Sequence, residues 1–448
     1  MRERARLATV TALAGVLATS SATALEFVRI STIPRGHVQS IEGIPAGDSD
    51  HDGRQELYFD EDILPETLNI WEAWGSNSFQ PVVTEDVCHP TALGDVDQDG
   101  LSDLLCEGRG RAFLLESETP AACPSRPVWQ EPLGGFPGIR GYFEDADQDG
   151  NQEMWIVPND PDQVEVWENR GDDSYVPVAL LAEPGMNTAM VAFGDFDGDR
   201  FTEIVVVGAV NEVFVWENTG DDTYDLVSAF TITDVFNLRV AAARGLDGDG
   251  KAEFVIGGTG SFFGHQVSIF EAKGDNTYAT AWEIQGNGAT IDTLVAVGDV
   301  DGDGVEEFVV TIPKVTPIYK AFGDNDFRLV GEVPFRSDQG IQLADLNGNG
   351  VDELVFNGPS GLEIQIHELA DIQPVVLISR WHAWSYRVPP GSSFSTRLDL
   401  FNRTEVVEPE DVWLQLSYIR EVGKEAPRGR CSCRPCSAAK RRCRRSRR

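Results

Sequence analysis

The sequence predicts an all-β protein, a seven-bladed β-propeller of four-stranded antiparallel blades followed by a partial β-sandwich-like segment. Three observations lead there. A nine-residue acidic loop occurs seven times, its copies lie 46 to 54 residues apart, and short strand-like runs without helical periodicity fill the intervals. A period near 50 residues is one propeller blade.

The loops begin at Asp48, Asp95, Asp145, Asp195, Gly245, Asp299 and Asp345, in steps of 47, 50, 50, 50, 54 and 46 residues. Acidic residues recur at positions 1, 3, 5 and 9, and a glycine at position 6 permits a left-handed turn. Such a loop curls so that its odd-numbered oxygens converge. Three or four carboxylates at close range repel by on the order of 4 kcal/mol per pair at an effective surface dielectric, unless a hard cation lies between them. Calcium fits, because it accepts six to eight oxygen ligands in flexible geometry and can add the carbonyl of position 7. A single acidic loop reads equally well as a solvated turn; seven in register do not.

The expected calcium ligands are Asp48, Asp50, Asp52 and Glu56 in the first loop, Asp95, Asp97, Asp99 and Asp103 in the second, and Asp145, Asp147, Asp149 and Glu153 in the third. The fourth offers Asp195, Asp197, Asp199 and Glu203, and the sixth Asp299, Asp301, Asp303 and Glu307. Arg200 stands at the glycine position of the fourth, which strains the turn without removing a ligand. The fifth lacks its first ligand at Gly245 and keeps Asp247, Asp249 and Glu253, so it is expected to be weak or empty. The seventh, with Asp345, Asn347, Asn349 and Glu353, sheds two charges and is expected to bind less tightly.

Taken from its start, the chain opens with a basic Met1 to Arg6, an apolar Leu7 to Ala18 and a small-residue Ala22-Thr23-Ala24. Residues 1–24 read as a secretory signal, since the apolar run is too short to span a bilayer. The expectation is a secreted or cell-surface protein with no transmembrane segment in the mature chain. The net charge is −37, and residues 425–448 hold ten Lys/Arg against one Glu, so the acidic excess lies in the main body. Nucleic acid is therefore excluded as a partner of the propeller, because phosphates would be repelled.

Each repeat supplies four strands. In the fourth these are Met190 to Gly194, Glu203 to Val207, Glu212 to Glu217 and Leu226 to Ile232, the last two joined by a Gly220-Asp221-Asp222 turn. The turn recurs as Gly171-Asp172-Asp173, Gly274-Asp275-Asn276 and Gly323-Asp324-Asn325, and more loosely as Gly75-Ser76-Asn77. Aromatics flank it: Trp71, Trp167, Trp216, Phe270 and Tyr319 before, Phe79, Tyr175, Tyr224, Tyr278 and Phe327 after. They could form a sugar-stacking row. Their fixed place in successive blades favours packing between sheets.

The last repeat shows only two clear strands after its loop, Leu354 to Asn357 and Leu362 to His367. A spare segment before the first loop, 25–33, resembles the fourth strand at Phe327 to Pro334. It is expected to supply the outer strand of the last blade and so fasten the ring, making 25–370 one propeller.

With its repeated Phe193-Gly194-Asp195-Phe196-Asp197-Gly198-Asp199 and Val297-Gly298-Asp299-Val300-Asp301-Gly302-Asp303-Gly304, the chain resembles the FG-GAP repeats of integrin alpha-chain propellers and their bacterial relatives over about residues 25 to 370. The resemblance implies calcium between the first two strands of a blade, and protein or glycan ligands at propeller surfaces. No interval is long enough for the integrin inserted domain.

In a four-stranded meander the acidic loops and the Gly-Asp-Asp turns fall on one face. The other connections, where the repeats lose uniformity, fall on the opposite one, and irregular loops on a rigid scaffold are where binding sits. Candidate contacts there are Phe136, Arg140, Phe236, Arg239, Phe262, Phe263 and His265. Each reads equally well as a loop residue packing on its neighbours.

Residues 371–423 contain strand-like runs such as Ser393 to Phe401 and Val412 to Tyr418, too few for a complete sandwich. Residues 424–448 are expected to be a disordered Cys/Arg-rich tail. Their abrupt composition reads as a chain out of its natural frame, as a basic surface-binding tail or, least fitting, as a zinc site. Cys88, Cys106 and Cys123 cluster around the second blade, where export permits one disulfide without choosing the pair.

Two function classes follow. One is a monomeric, exported calcium-binding module for adhesion or recognition of an extracellular protein or glycan. The other is a propeller-based polysaccharide lyase or hydrolase. Six histidines, none repeated or paired with a catalytic neighbour, and acidic residues nearly all accounted for by the loops and turns favour binding over catalysis.

Overall fold

The second strand of each repeat is apolar on both sides, as in Glu203-Ile204-Val205-Val206-Val207-Gly208, and every one of its residues is buried. Such a strand has no solvent face. It must lie with a sheet against each of its own faces, and a closed ring of blades provides that.

The computed structural model describes residues 25, 27–34, 45–61, 67–74, 78–86, 88–108, 110–133, 139–158, 163–260, 264–287, 293–312, 315–334, 340–358 and 363–369, with 8–9, 387–388, 413–416 and 429–432 besides. Among these are seven four-stranded antiparallel sheets. The fourth blade is typical, with strands Thr188–Gly194, Glu203–Gly208, Glu212–Gly220 and Thr223–Thr231. Its third and fourth strands run further than the sequence reading, because only Asp221 and Asp222 form the turn and Gly220 pairs directly with Thr223. The first strands of successive blades neighbour one another and line the inside of the ring. They approach closely: a Cβ on Gly141 would lie 2.4 Å from Leu105 Cδ2 of the preceding blade.

The hydrophobic core is divided by blade boundary. Trp155, Val164 and Val166 of the third blade pack with Ile204, Val206 and Trp216 of the fourth, and Val205, Val207 and Val215 of the fourth with Phe254, Ile256 and Phe270 of the fifth. The repeated aromatics serve these seams, as in the edge-to-face contact of Trp155 with Tyr224 at 5.2 Å and the tilted contact of Trp282 with Tyr319 at 5.5 Å.

In the seventh blade, Ile341–Ala344, Glu353–Asn357 and Glu363–Leu369 are completed by Phe27–Pro34 from the start of the chain. Ile33 of this strand is fully buried among Leu57 and Phe59 of the first blade and Val355, Ile364 and Ile366 of the seventh.

The chain divides into two compact units, Ala22–Ala370 and a second made of Met1–Ser21 with Asp371–Arg448. In the second, Ala8–Thr9 pairs with Arg387–Val388, and Trp413–Leu416 with Gly429–Ser432. The remainder of the leader, of the sandwich-like segment and of the basic tail lies outside the described residues. No helix among the described residues is long and apolar enough to cross a membrane.

Candidate metal centres and the opposite face

Each acidic loop is held by its own backbone. The position-1 carboxylate accepts the N–H of position 6, as Asp48 does from Gly53 at 2.9 Å and Asp299 from Gly304 at 2.8 Å. The position-5 carboxylate accepts the N–H of position 7, as Asp99 does from Leu101 at 2.7 Å. The position-9 carboxylate reaches back to the N–H of position 2: Glu56 to Ser49 at 2.7 Å, Asp103 to Val96 at 2.9 Å, Glu153 to Ala146 at 2.9 Å and Glu253 to Leu246 at 2.9 Å. Position 6 is left-handed throughout, and Arg200 takes φ 83° there. Position 4 is left-handed too, even where it is His51, Gln98 or Gln148, a feature the repeat pattern did not disclose.

Those bonds use one oxygen of each carboxylate. The other oxygen is the informative one. Glu56 Oε1, Asp103 Oδ1, Glu153 Oε1, Glu203 Oε1 and Glu253 Oε1 are all buried with no hydrogen-bond partner, and Asp48 Oδ1 and Asp145 Oδ1 join them. Buried carboxylate oxygens left without partners are strongly disfavoured unless a cation satisfies them. In the first, third and fourth loops the four carboxylates offer oxygens within 4.8 Å of one another. The donor set, all oxygen and flexible in geometry, fits calcium. Burial pushes the position-9 groups up, Glu56 and Glu253 to about 7, Asp103 and Glu203 to about 8 and Glu153 to about 9.

The sixth loop departs from the expectation, and the seventh is arranged differently from the first five. In the sixth, the ammonium of Lys320 lies 2.6 Å from Glu307 Oε1 and 2.8 Å from Asp301 Oδ2, so the set read as intact already contains a cation. In the seventh, the Asn347 side-chain amide donates to Glu353 Oε1, and that of Asn349 to Glu368 at 2.8 Å. The fifth, expected to be weak or empty, retains its unpaired Glu253 oxygen.

A second set of contacts joins blades. The position-3 carboxylate accepts the N–H at the tip of the next blade's hairpin: Asp97 from Asp173 at 3.1 Å, Asp197 from Asn276 at 2.7 Å and Asp247 from Asn325 at 2.8 Å. Loops and turns thus share one face. Tyr175, Tyr224 and Tyr278, placed in the core by the sequence reading, also turn buried, unpartnered hydroxyls toward this region. Burial and then the carboxylates of Glu153 and Asp147 push the Tyr224 hydroxyl's titration up.

On the opposite face the candidate contacts separate. Phe236 is 44% exposed. Arg140 and Arg239 are half-buried, and Arg239 donates to the carbonyl of Leu238 at 3.1 Å. His265 is buried, its ring against Gly286, so it packs inside the fifth blade instead of facing a ligand. Phe136, Phe262 and Phe263 lie outside the described residues.

The structure adds a pair that sequence separation concealed. His89 Nδ1 lies 3.1 Å from Asp60 Oδ2, across the boundary of the first two blades at this same face. Burial lowers the imidazole's pKa, but the Asp60 and Glu107 carboxylates outweigh it and hold the net value above the ordinary one. Beside it, Cys88 and Cys106 form the disulfide and Cys123 is the free thiol.

The model of the FG-GAP-like repeat matches residues 145–206, 195–256 and 245–310, each match beginning at the first residue of an acidic loop. No curated protein sequence matches the chain. Among solved structures, the BP39L lectin from Burkholderia pseudomallei is similar over 75% of this chain and 97% of its own, at 11% identity and a TM-score of 0.55. BBS1N, in its complex with ARL6DN, is similar over 77% of this chain and 98% of its own, at 11% identity and a TM-score of 0.52. At such identities the shared feature is the ring.

Proposed function

From the premise that this chain is an FG-GAP-repeat β-propeller, we propose that it is an exported binding module whose acidic face is fixed by calcium and whose opposite face meets an extracellular protein or glycan. The observation that carries the calcium half is the row of buried position-9 oxygens without partners in loops one to five. Bound there, calcium would supply the positive charge those oxygens lack. The chain's own residues do the rest: position-1, -5 and -9 carboxylates anchor the loop backbone, and position 3 ties it to the next blade.

The binding half rests on the contrast between faces. The acidic face repeats from blade to blade, whereas the opposite one carries irregular loops and the exposed Phe236. The Burkholderia lectin supports this reading only in showing that a ring of this build can carry glycan recognition. Export is supported by the basic and apolar start of the chain, and it would place the loops where calcium is plentiful.

A second reading, polysaccharide cleavage, has one observation in its favour, the His89–Asp60 pair. The discriminating experiment is a screen of the purified chain against glycans and extracellular proteins, run beside an assay for polysaccharide cleavage. Saturable binding without cleavage supports the module. Cleavage lost on His89→Ala with binding retained would replace it with the enzyme.

A further inference from the structure

The residue after the third-strand position of the repeated aromatic is acidic in six blades, as Glu72, Glu116, Glu168, Glu217, Glu271 and Glu368, and in the sixth blade it is Lys320. Its Nζ lies 2.9 Å and 2.8 Å from the two oxygens of Asp301, 2.9 Å from Asp303 Oδ2 and 2.6 Å from Glu307 Oε1. The side chain is only 15% exposed. Glu307 Oε1 corresponds to the very oxygen that lacks a partner in loops one to five.

We infer that the Lys320 ammonium is the resident cation of the sixth loop, and that this loop takes no calcium. Calcium would need the same oxygens at about 2.3–2.6 Å, which is the position Nζ holds, and two cations cannot share it. An ammonium also suits the site as a point charge with three donors, enough for three carboxylates.

The location has a structural reason. In loops two to five the position-3 carboxylate accepts from the hairpin of the following blade. The seventh blade takes its outer strand from Phe27–Pro34, so no third-to-fourth hairpin reaches the sixth loop, and Asp301 gives both oxygens to Lys320 instead. The loop beside the ring closure thereby holds a cation whatever the calcium concentration. The comparison with loops one to five rests on the calcium reading proposed above; the placement of Lys320 does not.

The test measures calcium stoichiometry on the full chain by equilibrium dialysis, with melting in excess chelator alongside. Lys320→Met should bind one more calcium per chain than wild type, and Lys320→Arg the wild-type number. In chelator Lys320→Met should melt roughly 2–4 °C lower. Equal stoichiometry in wild type and Lys320→Met, with calcium bound by both, would overturn the inference. If neither binds calcium, the reading of the other loops fails instead. The chelator melt then decides alone, an unchanged midpoint in Lys320→Met overturning the role of Lys320 and a fall supporting it. If Lys320→Met folds only with calcium present, that dependence supports it too.

Discussion

The backbone N–H of Asp222, at the hairpin tip of the fourth blade, donates to Asp147 Oδ2 in the third blade's acidic loop, 2.8 Å away. The same carboxylate accepts the Asp149 N–H through Oδ1 at 3.2 Å, so one side chain shapes its own loop and fixes its neighbour's turn. An acidic loop in this ring is therefore a joint between blades. Asp147→Ala should destabilise the chain by about 2 kcal/mol, the scale of a hydrogen bond to a charged acceptor, and speed amide exchange at Asp222. Urea unfolding and hydrogen exchange check it; an unchanged Asp222 rate would remove the joint.

The hairpin tips solve one electrostatic problem in two ways. Asn276 and Asn325 donate their side-chain amides to Glu217 at 2.6 Å and Glu271 at 3.0 Å of the preceding blade. Asp222 cannot donate, so Arg170 bridges it to buried Glu168. Arg170→Ala should lower the melting temperature by leaving two carboxylates face to face, and adding Asp222→Asn should recover most of the loss. A double-mutant cycle without coupling between these positions would show the bridge to be ornamental.

Calcium and pH should act in opposite directions. The position-9 groups of loops one to five have ordinary values of 3.8 to 4.5 and are pushed up to between about 7 and 9 when folded. Between those limits the native state binds more protons than the unfolded one, so stability in chelator falls as pH rises from about 5 to 8. With calcium the ion replaces the protons, affinity rises with pH and the slope flattens or reverses. At a dissociation constant of about 0.1 mM, each site adds about 1.4 kcal/mol at 1 mM calcium. Thermal melts across pH in calcium and in chelator show both effects; calcium-independent melts would return the loops to solvated turns.

What the sequence disclosed follows from how local each feature is. A nine-residue loop announces itself because its ligands are neighbours, and seven copies fix the ring. Lys320 was missed because it reaches the sixth loop from the third strand, 19 residues beyond Asp301, where the pattern reads only as one Glu replaced. His89 and Asp60 meet across a blade boundary, and no spacing rule links them. His265 looked like a loop residue because the repeats lose uniformity around it, but the strand Gly264–Gly274 begins one residue before it and carries it inward.

Cysteine pairing was equally hidden until the register was known. Pro90 pairs with Cys106, which brings Cys88 and Cys106 to a Cα separation of 5.5 Å across the first two strands of the second blade. Both are buried, so a mild reductant should reach them only on unfolding. Replacing both by Ser should cost about 3 kcal/mol, the value for closing a loop of this size, and leave Cys123 as the one cysteine within residues 25–370. Mass spectrometry after alkylation with and without denaturant measures the pairing, and a label on Cys88 in the native protein would contradict it.

Ring closure depends on a strand that is distant in sequence from its partner. Phe27 pairs with Leu369 and Pro34 with Glu363, and the two faces of the strand serve different blades. Phe27 packs with Val330 and Val333 of the sixth, whereas Ile33 fills the seam with the first. The backbone N–H of Leu25 also donates to the carbonyl of Val330, fastening the segment to the blade before. Without it, the seventh blade keeps three strands with an exposed edge, and the seam loses its fully buried Ile33. Ile33→Ala should cost about 3 kcal/mol. Deleting 25–34 should do more, because every blade depends on neighbours on both sides and an open ring can fray from its ends. The expected result is a broad, multi-step melt in place of one sharp transition. A deletion variant that still unfolds in a single cooperative step, at the wild-type midpoint, would mean that the hydrophobic seams alone close the ring.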